Sequence, residues 1–299
     1  MPDQTGNGNT ILQGLPDQFF VLFQRLLPER LLGRCVYWLA RQRTPWLRNL
    51  LIRSFIRFYK VDISEVEHPE PAAWEHANAF FTRALRPGAR PLAAGANTVV
   101  SPADGRIEEL GYAAGNYLIQ AKRFHYRLAD FLATDDASVA RFHDGATLTI
   151  YLAPHNYHRV HMPLAGQVRE VVHVPGRRWA VNRRTARAVP GLFAANERVI
   201  LWCENPAGRF AVVLVGAMNV ASISLAWTGE VVPGKEVTRI RYPADVPHLA
   251  IPAGGLLGQF NLGSTVVVVA EKDLITWNAG CAAGRSVRMG EGLGQTRTG

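Results

Sequence analysis

Residues 261–270, Asn261-Leu262-Gly263-Ser264-Thr265-Val266-Val267-Val268-Val269-Ala270, place four consecutive valines behind a Gly-Ser pair. A β-branched run without polar alternation reads as a buried strand, and the residues before it read as the turn that enters the strand. The same texture recurs through residues 98–100, 147–152, 168–174, 199–203, 211–215, 221–227 and 237–240, each bounded by Gly, Pro or Asn. In this part of the chain only residues 127–133 suggest a helix. No internal repeat is evident, and the residues from Gly290 onward read as a Gly-rich tail. The fold class expected is α+β, predominantly β, with a sandwich- or barrel-like core.

The character changes toward the N terminus. Phe20, Phe23, Leu27, Leu31, Leu32, Val36, Leu39, Leu47, Leu50, Leu51, Phe55 and Phe58 recur at helical spacing, and Pro28 and Pro45 divide them into about three short helices. Arg25, Arg30, Arg34, Arg41, Arg43, Arg48, Arg53, Arg57 and Lys60 face a single acid, Glu29. Three readings fit: basic amphipathic helices lying in a lipid interface, a helical cap on the core with a solvated basic face, or, third, a nucleic-acid-binding face. Residues 62–90 add a connector and one short helix around residues 74–81. The organisation expected is a disordered leader over 1–17, membrane-associating helices over 18–65 and a catalytic core over 66–299.

With 299 residues, 48% of them apolar, the chain can bury a real core. Its net charge of +9 comes mostly from arginine, whose planar fork suits phosphates, in nucleic acid or lipid. Cys35, Cys203 and Cys281 are odd in number and widely spaced, which suggests neither a disulfide framework nor a zinc site. The first ten residues have no basic start or apolar core, so no export signal is expected. No apolar run nearby reaches the roughly 20 residues that span a bilayer.

Three segments carry chemistry. Ser101-Pro102-Ala103-Asp104-Gly105 places an acid in a turn. Tyr151-Leu152-Ala153-Pro154-His155-Asn156-Tyr157-His158-Arg159-Val160-His161-Met162-Pro163 packs three of the nine histidines into seven positions. Flanking prolines and the lack of a carboxylate there argue against a metal site and for proton transfer. In Leu262-Gly263-Ser264-Thr265, Gly263 permits a strained backbone and leaves its carbonyl open, and Ser264 offers a hydroxyl beside that carbonyl. Asp104, His161 and Ser264 supply an acid, a base and a nucleophile, the set used in acyl transfer.

Taken in this order, the three segments resemble the phosphatidylserine decarboxylase family, and its bacterial, membrane-associated branch in particular. Similar stretches include Tyr59-Lys60-Val61-Asp62, Asn78-Ala79-Phe80-Phe81-Thr82-Arg83, Ile119-Gln120-Ala121-Lys122 and Leu192-Phe193-Ala194-Ala195-Asn196-Glu197-Arg198. The resemblance implies self-cleavage between Gly263 and Ser264, with His161, oriented by Asp104, as the base. Ser264 becomes a pyruvoyl group, so that neither a metal nor pyridoxal phosphate is required. That group condenses with the amine of phosphatidylserine and delocalises the carbanion left by carbon dioxide. His158 is implied as the proton donor that completes phosphatidylethanolamine.

Further implications are a β chain (1–263) paired with an α chain (264–299), a dimer of these pairs, and a peripheral place on the cytoplasmic side of the cell membrane. Arg177, Arg178, Arg183 and Arg184 form a basic loop that either contacts lipid phosphate or is solvated; nucleic acid is not an expected partner. Asn156 stands where many relatives have an aspartate, which shifts the burden of supporting an imidazolium onto Asp104. Two alternatives stay open: a serine hydrolase using Asp104, His161 and Ser264, though without a GxSxG elbow, or a non-catalytic module that binds anionic lipid.

Overall fold

The computed structural model describes residues 29–120, 124–181, 183–217 and 222–297. The expected leader over 1–17, and the apolar and basic positions Phe20, Phe23, Arg25 and Leu27, lie outside the described residues. As expected, β-structure dominates. The largest sheet runs in the order Thr238–Arg241, Gly166–Val174, Arg198–Asn205, Gly208–Gly216, Ser264–Ala270, Ala146–Leu152, Gly105–Tyr112 and Ser286–Val287, with Ala250–Ile251 also paired to Gly166–Val174. All of these pairings are antiparallel. Among the described residues the sheets stay open and do not close into a barrel.

The valine run lies in the interior of this sheet. Val267 sits opposite Val213 on one side and Thr149 on the other, and all four valines are buried. A strand paired along both edges and covered on both faces has no use for polar alternation, which explains the unbroken run. A second sheet joins Gly229–Glu230, Ser222–Leu225, Leu256–Asn261 and Arg159–His161. The chain therefore passes from the second sheet to the first across Leu262 and Gly263. Both residues are left-handed, with φ of 91° and 38°. For leucine that region is disfavoured, at a cost of about 1–2 kcal/mol.

Two expectations need correction. The supposed Gly-rich tail contains the strand Gly292–Thr296, the middle member of a third sheet between Thr98–Val100 and Ile275–Trp277. The second half also holds more helix than residues 127–133 alone: Leu128–Phe131 is joined by Asp136–Val139, Arg183–Ala188 and Leu192–Ala195.

At the N-terminal end, helices Glu29–Ala40 and Pro45–Tyr59 are described. Pro45 opens the second helix, where a missing N–H costs nothing, and left-handed Lys60 closes it. Ile52, Phe55 and Ile56 pack on Phe80, Trp74 and Ala77, so one face of this helix is docked on the protein. Trp38, Trp46 (68% exposed), Leu50 and Phe58 (78% exposed) remain outside that contact. One face of this helix therefore caps the protein, and large apolar side chains are exposed away from that contact. No helix among the described residues is long and apolar enough to cross a membrane.

Candidate active site

Backbone pairing brings the three segments together. Ser264 opens its strand opposite Leu152 on one side and Gly216 on the other. Ala153, the residue after Leu152, begins the turn that leads into the histidines. The amide of Phe260 donates to the His158 carbonyl (3.1 Å), and the amide of His161 donates to the carbonyl of Pro102 in the Asp104 loop (2.8 Å). Of Ser264 itself only the backbone is described.

His158 is fully buried and stacks on Phe81 with ring centroids 4.0 Å apart. Its Nε2 donates to the Ala153 carbonyl at 3.1 Å, leaving Nδ1 as a buried lone pair without a hydrogen-bond partner among the described residues. Burial first, and the nearby Arg83 guanidinium second, push its pKa down to about 3. The ring is neutral at pH 7, and any proton it delivers must first be taken up.

His161 is nearly buried. Its Nδ1 donates to the Gly254 carbonyl (2.8 Å), and its Nε2 meets the Tyr157 hydroxyl at 3.1 Å. Because a carbonyl only accepts, Nδ1 carries the hydrogen of the neutral ring and Nε2 holds the lone pair. Burial lowers the pKa of His161 as well, so a free base is available at neutral pH.

Asp104 does not fill the orienting role expected of it. Its carboxylate is held by Arg90 at 2.8 and 2.5 Å and by the amide of Met289 at 2.8 Å. Arg90 also reaches Glu65 at 2.9 Å. Among the described residues Asp104 makes no hydrogen bond to His161, whose ring is held by Gly254 and Tyr157, though the Asp104 charge favours the imidazolium. The reason is geometric competition: a bidentate arginine pairs with a carboxylate more strongly than an imidazole does.

Asn156 also differs from the expectation. Its Oδ1 accepts from the Ala153 amide (2.8 Å), and its amide donates to the Ala153 carbonyl (2.9 Å), the same carbonyl that receives His158. It builds the turn that orients His158, and an amide oxygen does this as well as a carboxylate. Charge support from position 156 is not what this turn uses.

Several supporting residues were not singled out in the sequence. Arg83, buried, donates to the carbonyls of His155 (2.9 Å) and Asn156 (3.2 Å), and Arg159 donates to Thr82 (3.0 Å), strapping the histidine segment to helix Ala77–Phe81. Asn78 reaches Asn261 (3.1 Å), whose amide also donates to Ser222 and Ser224. These bonds hold the end of the strand that leads into Leu262.

The basic loop is anchored to the same place. Asn196 donates to the carbonyls of Trp179 (3.0 Å) and Gly216 (2.9 Å), and Gly216 is the partner of Ser264. Gln120 donates to Ala186 and Val189 and accepts from Leu192. Arg178 is engaged by Glu197 at 2.8 Å, as is His173 at 3.0 Å. Burial would raise the Glu197 pKa, but these donors hold it below the ordinary value. Arg177 is exposed, 5.4 Å from the Trp179 ring centre, and the Arg183 side chain lies outside the described residues.

The two buried rings predict acid lability. Their folded pKa values lie below that of a free imidazole, so below pH 6.5 the unfolded chain binds protons that the folded chain refuses. Stability is complete above pH 6.5 and falls as pH drops toward 3. His158 alone accounts for about 2 kcal/mol between pH 6.5 and 5. Thermal unfolding at pH 5 is expected several degrees below that at pH 7, with the difference reduced in His158→Gln; equal pH dependence in the two proteins would contradict the assignment.

Comparison with known proteins points one way. A family model described as phosphatidylserine decarboxylase matches residues 77–295, and a second, described as PSD, matches residues 19–60. The phosphatidylserine decarboxylase proenzyme of Azotobacter vinelandii is 46% identical over 283 residues, covering 94% of this chain and 99% of that protein. Its counterpart in Methylococcus capsulatus is 44% identical over 287 residues, covering 96% and 100%. That of Pseudomonas aeruginosa strain LESB58 is 47% identical over 279 residues, covering 93% and 96%. The serine-hydrolase and binding-module readings gain no support from these matches. Similarity of this depth, running through both the helices and the core, shows that the chain belongs to the phosphatidylserine decarboxylase family.

Proposed function

We propose that this protein decarboxylates phosphatidylserine to phosphatidylethanolamine, after cutting itself between Gly263 and Ser264. The observation that carries the cleavage site is the corner between the two sheets, where consecutive left-handed residues, Leu262 and Gly263, immediately precede Ser264. Strain at that corner is relieved when the bond to Ser264 breaks. His161 acts as the base. The Ser264 oxygen bonds to the Gly263 carbonyl carbon as the Gly263–Ser264 C–N bond breaks, and the hydroxyl proton passes by way of His161 to the freed nitrogen. Loss of the Ser264 Cα proton then expels the Gly263 carboxylate, and water replaces the nitrogen as ammonia.

The residues at the corner suit a pyruvoyl group made from Ser264. A Cβ built on Gly263 would meet nothing within 4 Å, so the space beside its Cα is open, and pairing on both edges fixes residue 264 after the cut. When present, the group supplies an electrophilic carbonyl and an electron sink for the carbanion left by carbon dioxide. His158, neutral and with a bare Nδ1, takes a proton from the incoming ammonium and returns it to that carbon. Arg177 and Arg183, on the segment that Asn196 and Gln120 anchor beside Gly216, suit the phosphodiester; Arg178 is largely committed to Glu197.

The exposed Trp38, Trp46, Leu50 and Phe58, among Arg48, Arg53 and Arg57, suit an anionic membrane surface, to which the enzyme binds peripherally on the cytoplasmic side. The β and α chains stay associated, and a dimer of such pairs is the assembly we infer. The intact mass of the denatured protein tests the cleavage. Two fragments divided at Gly263-Ser264 are expected, the smaller lighter than its sequence by one ammonia; a cut elsewhere, or no cut, refutes it.

A further inference from the structure

Nε2 of His161 is the only lone pair on that ring, since Nδ1–H is given to the Gly254 carbonyl, and the Tyr157 hydroxyl occupies it at 3.1 Å. The two rings also stack, with centroids 5.6 Å apart and planes at 30°. Among the described residues, the polar group that stands against Nε2 is the Tyr157 oxygen. Tyr157 is nearly buried, yet it lines a cavity of about 590 Å³ that also contains Asp104, Arg90 and Arg83.

From this geometry we propose that Tyr157 is the positioning residue of self-cleavage: it holds His161 and relays its proton. In the step, the Tyr157 O–H proton moves to Nε2 as the phenolic oxygen takes a proton from the group being deprotonated, so that Tyr157 ends unchanged and His161 becomes an imidazolium. The charges that face the pair favour the uptake unequally. Asp104 favours an imidazolium, and Arg159 opposes it at His161; Arg159, Arg90 and Arg83 make the phenol a better acid than burial alone would, while Asp104 works the other way.

The contact expected of an orienting carboxylate, acceptance of the ring N–H, is made by the Gly254 carbonyl, and Tyr157 stands at the base nitrogen instead. The inference rests on the reading of His161 as the base, and the test separates the two. The full chain is synthesised in vitro, pulse-labelled, and its cleavage followed by gel across pH 5.5–9, for the parent, His161→Ala, Tyr157→Phe and chains with fluorinated tyrosines at position 157. Tyr157→Phe is expected to slow cleavage about 10- to 100-fold. Fluorotyrosines, which keep the hydroxyl and the ring, are expected to shift the pH profile in step with phenol acidity, a response that a packing role alone does not produce. Parental cleavage in Tyr157→Phe with none in His161→Ala overturns the relay, as does a profile unmoved by fluorination. Parental cleavage in His161→Ala overturns the base assignment and the relay with it.

Discussion

Ser264→Ala is expected to leave one uncut chain and to abolish decarboxylation of phosphatidylserine, a loss on the order of 10⁶-fold or more, because the electron sink is never made. The substitution removes one oxygen at the first position of a strand whose register runs from Ser264 to Ala270 against Gly208–Gly216 and, through Val269, against Ala146–Leu152. Backbone pairing and the buried valines are untouched, so the thermal unfolding midpoint should stay close to that of the uncut parental chain. The measurement pairs an intact mass with release of labelled carbon dioxide. Persistent release from an uncut Ser264→Ala chain would remove the chemical premise of the proposed function.

His158→Ala should separate the two reactions. The chain is expected to cut itself, since His161, Gly254 and Tyr157 are intact, yet decarboxylation should fall about 10²- to 10⁴-fold, the range for a lost acid–base group. Removal of a ring stacked on Phe81 leaves a cavity, and completed cleavage itself reports that the variant has folded. The turnover of the cut variant is measured on phosphatidylserine in detergent. Near-parental turnover would show that the carbanion receives its proton from elsewhere, and failure to cut would assign His158 to maturation.

The β core was legible because β-branched runs such as Val266–Val269 have few alternative uses. The strand Gly292–Thr296 was not, because its glycines answer to a neighbour that lies far away in sequence. A Cβ on Gly294 would lie 2.5 Å from the Thr276 carbonyl, so close strand approach demands glycine where a pattern reading sees a loop. Strand Gly105–Tyr112 was hidden by the charges of Arg106, Glu108 and Glu109 on a partly solvated face.

At the site, the residue types that perform proton transfer were visible, whereas their partners were not. The carbonyls of Gly254 and Ala153 have no side-chain signature, and the pairing of Asp104 with Arg90 depends on a turn that only the fold brings near. Tyr157 lay within the motif, and its residue type alone did not single it out. The position of Asn156 suggested charge support for an imidazole, and only its bonds to Ala153 reveal a turn.

The place of Ser264–Ala270 inside the largest sheet gives maturation a direction. Before the cut, this strand is delivered to its slot by a covalent tether, and docking is an intramolecular search. After the proposed cleavage between Gly263 and Ser264, the same strand belongs to a separate short polypeptide that also supplies Ile275–Trp277, Ser286–Val287 and Gly292–Thr296. If the mature protein is unfolded, the two pieces diffuse apart, and reassembly becomes a second-order encounter between one sheet lacking an inner strand and a free β-prone peptide. On the proposed cleavage, the uncut polypeptide acts as its own template, used once, and the finished enzyme is expected to persist through the slowness of its opening rather than through an ability to form again.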